Sequence, residues 1–160
     1  MVRSLLALAS LVVVLAGACG PSAQPTCTGT ACLCDGSECT CKGGSSCDIA
    51  CGTFPRCHTT CTNVAQCNVA CRDDCTGACN AGDTCTMQCA NNCNYDCSNS
   101  RACTVSAGDG SNIDCTNAGT CTVQCTGSCT VTCAGAGCAV TCADGNAAKS
   151  CGATFKCGGC

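Results

Sequence analysis

From Cys67 onward, cysteine and one central residue, usually apolar, alternate with mostly polar residues in short units of the form C-x-Ω-x-C, separated by turn-forming stretches. The units recur in blocks of 18: CNVACRDDCTGACNAGDT from Cys67, CTMQCANNCNYDCSNSRA from Cys85, CTVSAGDGSNIDCTNAGT from Cys103 and CTVQCTGSCTVTCAGAG, one residue shorter, from Cys121. Their central residues are Val69, Gly77, Met87, Tyr95, Val105, Ile113, Val123 and Val131, and Val140 follows in the next unit. Period two directs both cysteines and the centre to one face and Thr, Asn, Gln, Asp or Ala to the other, the signature of a β-strand with one buried face. Stretches such as RDD, ANN, GDG and TGS, and NAGDT, SNSRA and TNAGT, supply the turns. Two five-residue strands per coil and a constant period predict an all-β fold, a disulfide-stapled flattened β-solenoid with about 18 residues per coil and little hydrophobic core. A helix also places C-x3-C on one face, but Thr, Val, Asn and Gly dominate these units and disfavour it.

The same grammar runs upstream less regularly. CDIAC at Cys47, CHTTC at Cys57 and CNVAC at Cys67 repeat every ten residues, which implies longer turns in the early coils. The expected organisation is a signal peptide over 1–18, an anchor cysteine and tether over 19–26, a cysteine-rich cap over 27–46, the repeat solenoid over 47–142 and a second cap over 143–160. Terminal repeats of a solenoid need such caps because their outer faces have no neighbour.

Composition explains why cysteine sits where hydrocarbon normally would. The chain has 160 residues, of which 29 are Cys, 19 Gly and 3 aromatic. Beyond residue 18 only thirteen large apolar side chains occur, from Leu33 to Phe155. That is too few for a conventional core at roughly 1.5 to 3 kcal/mol per buried side chain, so covalent links must substitute.

The first residues combine Arg3, an apolar run from Leu5 to Leu15 and small residues from Ala16 to Ala18, which is the pattern of a signal peptide. The run falls short of the ~20 apolar residues that span a bilayer. Leu15-Ala16-Gly17-Ala18-Cys19-Gly20 resembles a bacterial lipobox, although Ala16 stands at a position where Leu is commonest. The resemblance implies lipidation of Cys19 and attachment to a membrane; Gly20, rather than Asp, after the cysteine implies the outer membrane. Cleavage at Ala16-Gly17-Ala18 with free secretion is the alternative. Setting Cys19 aside leaves 28 cysteines, an even number suited to complete pairing. Residues 20–25 (GPSAQP) read as a tether. Without Arg3, six basic residues face ten acidic ones, so no basic stripe invites nucleic acid.

Two cysteines of one unit lie about 13 Å apart at ~3.3 Å per residue, beyond the reach of a disulfide, so bridges must leave the strand. In the block from Cys103, two cysteine positions are lost together, to Ala107 and Ser111 around the GDG turn. Paired loss implies paired function. Closing each turn with a bridge joins Cys51 to Cys57, Cys61 to Cys67, Cys71 to Cys75, Cys79 to Cys85, Cys89 to Cys93, Cys97 to Cys103, Cys115 to Cys121, Cys125 to Cys129 and Cys133 to Cys138. The same rule joins Cys27 to Cys32, Cys34 to Cys39, Cys41 to Cys47, Cys142 to Cys151 and Cys157 to Cys160. A rival scheme links equivalent cysteines of adjacent coils, whose ~4.8 Å spacing also suits a disulfide.

The string CTVQCTGSCTVTCAGAGCAVTC is similar to the tandem C-x-V-x-C repeats of cysteine-rich secreted lipoproteins of myxobacterial type, a group with no assigned activity. A weaker resemblance links the Cys and Thr repeats to insect antifreeze solenoids, which carry a strict Thr-x-Thr array. Thr130-Val131-Thr132 matches that array, and Thr86, Thr104 and Thr122 align at 18-residue spacing. Cys32-Leu33-Cys34 and Cys39-Thr40-Cys41 resemble metallothionein pairs, but exported thiols oxidise. Asp109, Asn112 and Asp114 are calcium candidates in a run that resembles a calcium-binding repeat. His58 is the sole histidine, expected on the solvated face, and even pairing leaves no cysteine nucleophile. No catalytic residue and no cofactor is therefore expected. The reading is a non-enzymatic exported cell-surface lipoprotein serving as a structural or binding module for an unidentified extracellular ligand; a calcium-dependent adhesin, an inhibitory protein and an ice-binding protein are alternatives.

Overall fold

The computed structural model describes residues 24–160 apart from residues 55, 135 and 136. It is a β-solenoid of two sheets, and the described residues contain no helix. One sheet comprises β1 (Thr26–Gly29), β4 (Ser46–Ala50), β6 (Gln66–Ala70), β8 (Thr84–Gln88), β10 (Ala102–Ala107), β12 (Thr120–Cys125) and β14 (Cys138–Thr141), in that spatial order. The other runs from β2 (Cys32–Asp35) through β3 (Glu38–Lys42), β5 (His58–Thr62), β7 (Thr76–Asn80), β9 (Asn94–Asp96), β11 (Ser111–Asp114) and β13 (Cys129–Thr132) to β16 (Thr154–Lys156) and β15 (Lys149–Cys151). We call them sheet A and sheet B.

Inside both sheets the strands are parallel and in register. Cys67 lies beside Cys85, Cys85 beside Cys103 and Cys103 beside Cys121, the expected offset of 18. The first coil is longer, with Cys47 beside Cys67 and Cys41 beside Cys61. β3 already belongs to the parallel ladder, although it falls within the segment read from sequence as an irregular cap. The turns repeat as faithfully as the strands. Asn63, Ala81, Asn99 and Asn117 have φ between 54° and 61°, each two residues after the cysteine that ends a repeat unit. Asparagine tolerates the left-handed region better than most residues, which accounts for its recurrence there.

Between the sheets lie two columns of side chains, each one residue wide. In sheet A the column is Ile49, Val69, Met87, Val105, Val123 and Val140; in sheet B it is Thr59, Gly77, Tyr95, Ile113, Val131 and Phe155. Gly77 is small for a reason visible only in the stack. A Cβ at that position would run into the ring of Tyr95 and come within 2.7 Å of Thr59 Oγ1. Tyr95 thus fills the space left by the neighbouring coil, and its hydroxyl is buried without a hydrogen-bond partner.

Cysteines flank both columns, and the bridges close the turns between consecutive strands, with a gap at the turn between Ala107 and Ser111. All nine turn-closing pairs from Cys51–Cys57 to Cys133–Cys138 are joined, as are Cys27–Cys32, Cys34–Cys39 and Cys41–Cys47. Equivalent cysteines of adjacent coils stack as neighbours but are not bonded to one another. Loops of this size limit each bridge to about 2 kcal/mol on the chain-entropy account.

The C-terminal pairing differs from the local rule. Cys142 joins Cys157 and Cys151 joins Cys160, rather than Cys142 with Cys151 and Cys157 with Cys160. The cause is a reversal of direction: β16 pairs antiparallel with β13, Phe155 lies opposite Val131, and the Cys157 amide donates to the Cys129 carbonyl at 3.2 Å. This docking carries Cys157 back to the end of the stack, where Cys142 waits. Antiparallel strands also close the other end, β1 on β4 and β2 on β3.

Candidate functional site

Because the interior is filled by sulfur and the two columns, chemistry directed outward must come from the polar residues on the strands and turns. The outer face of sheet A carries Thr84 and Thr86 on β8, Thr104 on β10, and Thr120 and Thr122 on β12, with Thr86, Thr104 and Thr122 in one row. Neighbouring strands stand about 4.8 Å apart. The row expected from the 18-residue spacing therefore exists, and Thr84-Cys85-Thr86 and Thr120-Cys121-Thr122 widen it into a grid interrupted at Ala102 of β10. Sequence inspection centred on apolar residues overlooks those two triplets, because their central residue is an inward cysteine.

Toward the N-terminal end the same face dips into a shallow groove of about 430 Å³. Ala50 and Ala70, side by side on β4 and β6, form its floor because their side chains are short. Thr28, Asp48, Asn68 and Gln88 rise around them, and Asn68 Nδ2 donates to Asp48 Oδ1 at 2.7 Å. The other carboxylate oxygen of Asp48 and the surrounding hydroxyl and amide groups are the polar groups that line the groove. Nothing in the spacing of the repeats marks this groove, since it depends on the 20-residue offset of the first coil, which aligns Asp48 with Asn68.

The calcium candidates are not brought together. Asp109 lies in the turn before β11 and Asp114 ends that strand, so the pleat carries them apart. Asp109 Oδ1 accepts from the Ser128 amide at 2.7 Å and the Ser128 hydroxyl at 3.1 Å, bonds that hold its carboxyl below the usual range. The Asp109 amide donates to Asn91 Oδ1 at 3.1 Å, and Asn91 Nδ2 donates to Asp73 Oδ1 at 3.0 Å. Asp114 Oδ1 accepts from the Thr116 amide at 2.9 Å and also from its hydroxyl. Asn112 stands between them on the outer face, beside Asn94 and Thr130. Asp109 thus links its turn to the next coil, and Asp114 caps its own turn.

Three sulfur clusters have ligand-like proximity: Cys32, Cys41 and Cys47; Cys51, Cys57 and Cys71; and Cys125, Cys129 and Cys157. Every one of these cysteines is disulfide-bonded. His58 is exposed on sheet B, its Nδ1 2.6 Å from Thr76 Oγ1 of the adjacent coil. Burial pushes the Tyr95 phenol well above its ordinary range. Cys19 lies outside the described residues. None of the described helices, there being none, crosses a membrane. No protein-family model, no curated protein and no solved structure matches the chain.

Proposed function

We propose that the chain is a non-enzymatic, exported cell-surface lipoprotein whose solenoid serves as a rigid structural or binding module. The observation that carries this reading is the cysteine count: fourteen bridges consume all 28 cysteines from Cys27 to Cys160, so the one cysteine left over is Cys19. That residue follows the apolar leader in the run that resembles a lipobox. Extensive disulfide bonding is consistent with an oxidising compartment. The groove around Asp48 and Asn68 supports the binding half of the proposal, and the resemblance to cysteine-repeat lipoproteins agrees with the anchor. The test is metabolic labelling with a radiolabelled fatty acid. Label on the wild type and none on Cys19→Ala is expected; an unlabelled wild type recovered from the medium overturns the anchor and leaves free secretion.

The threonine grid favours one second reading, an ice-binding face. Thermal hysteresis of the purified solenoid, abolished by Thr104→Lys, is its expected sign; freezing without hysteresis dismisses it.

A further inference from the structure

At the N-terminal end of the stack, two disulfides touch. Cys27–Cys32 joins β1 to β2, and Cys41–Cys47 joins β3 to β4 directly behind it. Cys32 Sγ lies 3.5 Å from Cys47 Sγ, and the sulfurs of Cys32, Cys41 and Cys47 all lie within 4.8 Å of one another. The outer bridge is half-buried at both cysteines, whereas Cys41 and Cys47 are each 1% exposed. β1 and β2 are the terminal strands of their sheets, so among the described residues no further strand covers the outer bridge.

We propose that this end of the solenoid is a thiol–disulfide exchange relay for small thiols, an activity beyond the module described above and independent of the lipid anchor. The thiolate of a small thiol attacks Cys27 Sγ; a bond forms between the two sulfurs and the Cys27–Cys32 bond breaks. Cys32 leaves as a thiolate already in contact with Cys47. It attacks Cys47 Sγ, the Cys32–Cys47 bond forms, and the Cys41–Cys47 bond breaks. Cys41 leaves and takes up the proton that the small thiol lost. One disulfide becomes a mixed disulfide, one is exchanged, and there is no net oxidation or reduction. Exchange of this kind proceeds by thiolate attack through a mixed disulfide. Cys41 is 1% exposed, so the thiol that ends the sequence is shielded from solvent thiols. The relay therefore moves a reactive thiol from the surface to the interior and parks the small thiol on Cys27.

The simplest test uses Cys41→Ser, which leaves the Cys47 thiol beside the outer bridge. Cys47 is expected to attack Cys32 and displace Cys27, so that alkylation of the folded variant labels Cys27 and peptide mapping finds Cys32–Cys47. An intact Cys27–Cys32 bridge, with Cys47 labelled only after denaturation, overturns the proposal. Should that variant fail to fold, the wild type is treated briefly with reduced glutathione, quenched with acid, unfolded and alkylated in denaturant, and mapped. Glutathione on Cys27, alkyl on Cys41 and a Cys32–Cys47 bridge is expected. Modification of Cys27 and Cys32 with Cys41–Cys47 retained, or no modification at this end, overturns it.

Discussion

Ala107 and Ser111 occupy a gap in the ladder of bridges, and refilling that gap tests how the fold is held. Ala107 lies beside Cys125 and Ser111 beside Cys129; on the other side, the pairing of Ser106 with Gln88 puts Ala107 level with Cys89. Both side chains are buried, between the Cys89–Cys93 and Cys125–Cys129 bridges. Those bridges span Cα separations of 6.4 and 5.9 Å over four residues, so the double variant Ala107→Cys/Ser111→Cys should close a fifteenth bridge without moving the backbone. A loop of this length contributes about 2 kcal/mol through the unfolded chain. Against that, the Cys93 amide loses the hydrogen bond it donates to Ser111 Oγ at 3.2 Å, at a cost of about 1 kcal/mol. The net gain is about 1 kcal/mol over the wild type, and Ser111→Ala, which loses only the hydrogen bond, should fall about 1 kcal/mol below it. Guanidinium denaturation followed by circular dichroism, with disulfides intact, reads both differences. Two titratable thiols after oxidative folding would refute the stacking register. A closed bridge with the stability of Ser111→Ala would refute the claim that these short loops stabilise the fold.

Removing the partnerless buried hydroxyl in Tyr95→Phe should raise stability by about 1 kcal/mol, measured by the same denaturation; a loss would mean that the hydroxyl has a partner after all. Tyr95 is the only tyrosine, so phenolate absorbance reports it alone. Its folded pKa is raised, so the stabilisation linked to it is complete below the ordinary value of about 10 and is lost as pH climbs toward the folded value. The absorbance should therefore lag that of free tyrosine and rise together with unfolding. Gly77→Ala should cost about 1 to 3 kcal/mol by overpacking, and most of that should return in Gly77→Ala/Tyr95→Val, where the obstructing ring is gone.

The solenoid, its period and most of its connectivity were legible because they rest on local rules. Alternation sends cysteine and a central residue such as Val123 or Ile113 inward together, a five-residue unit is too long to bridge internally, and the nearest remaining partner is across the turn. The joint loss at Ala107 and Ser111 marks the same relation. Asp109, Asn112 and Asp114 are close in sequence, yet an extended strand separates Asp109 from Asp114; Ser128 of the next coil binds the first carboxylate and Thr116 of the same turn the second, contacts that no spacing rule reveals. The groove around Asp48 was hidden because it is made by strands 20 residues apart.

Sequence alone determined what repeats: strand, turn, sulfur at each corner and an odd cysteine in front. Tertiary structure decided what happens where repetition stops or one coil leans on another. The partners of Cys142 and Cys157 follow from the reversal of β16 onto β13, the smallness of Gly77 from a ring one coil away, and the contact of Cys32 with Cys47 from the folding back of β1 and β2. The physical reason is the same in each case. A periodic pattern specifies contacts within a unit, whereas contacts between units depend on how the chain closes around them.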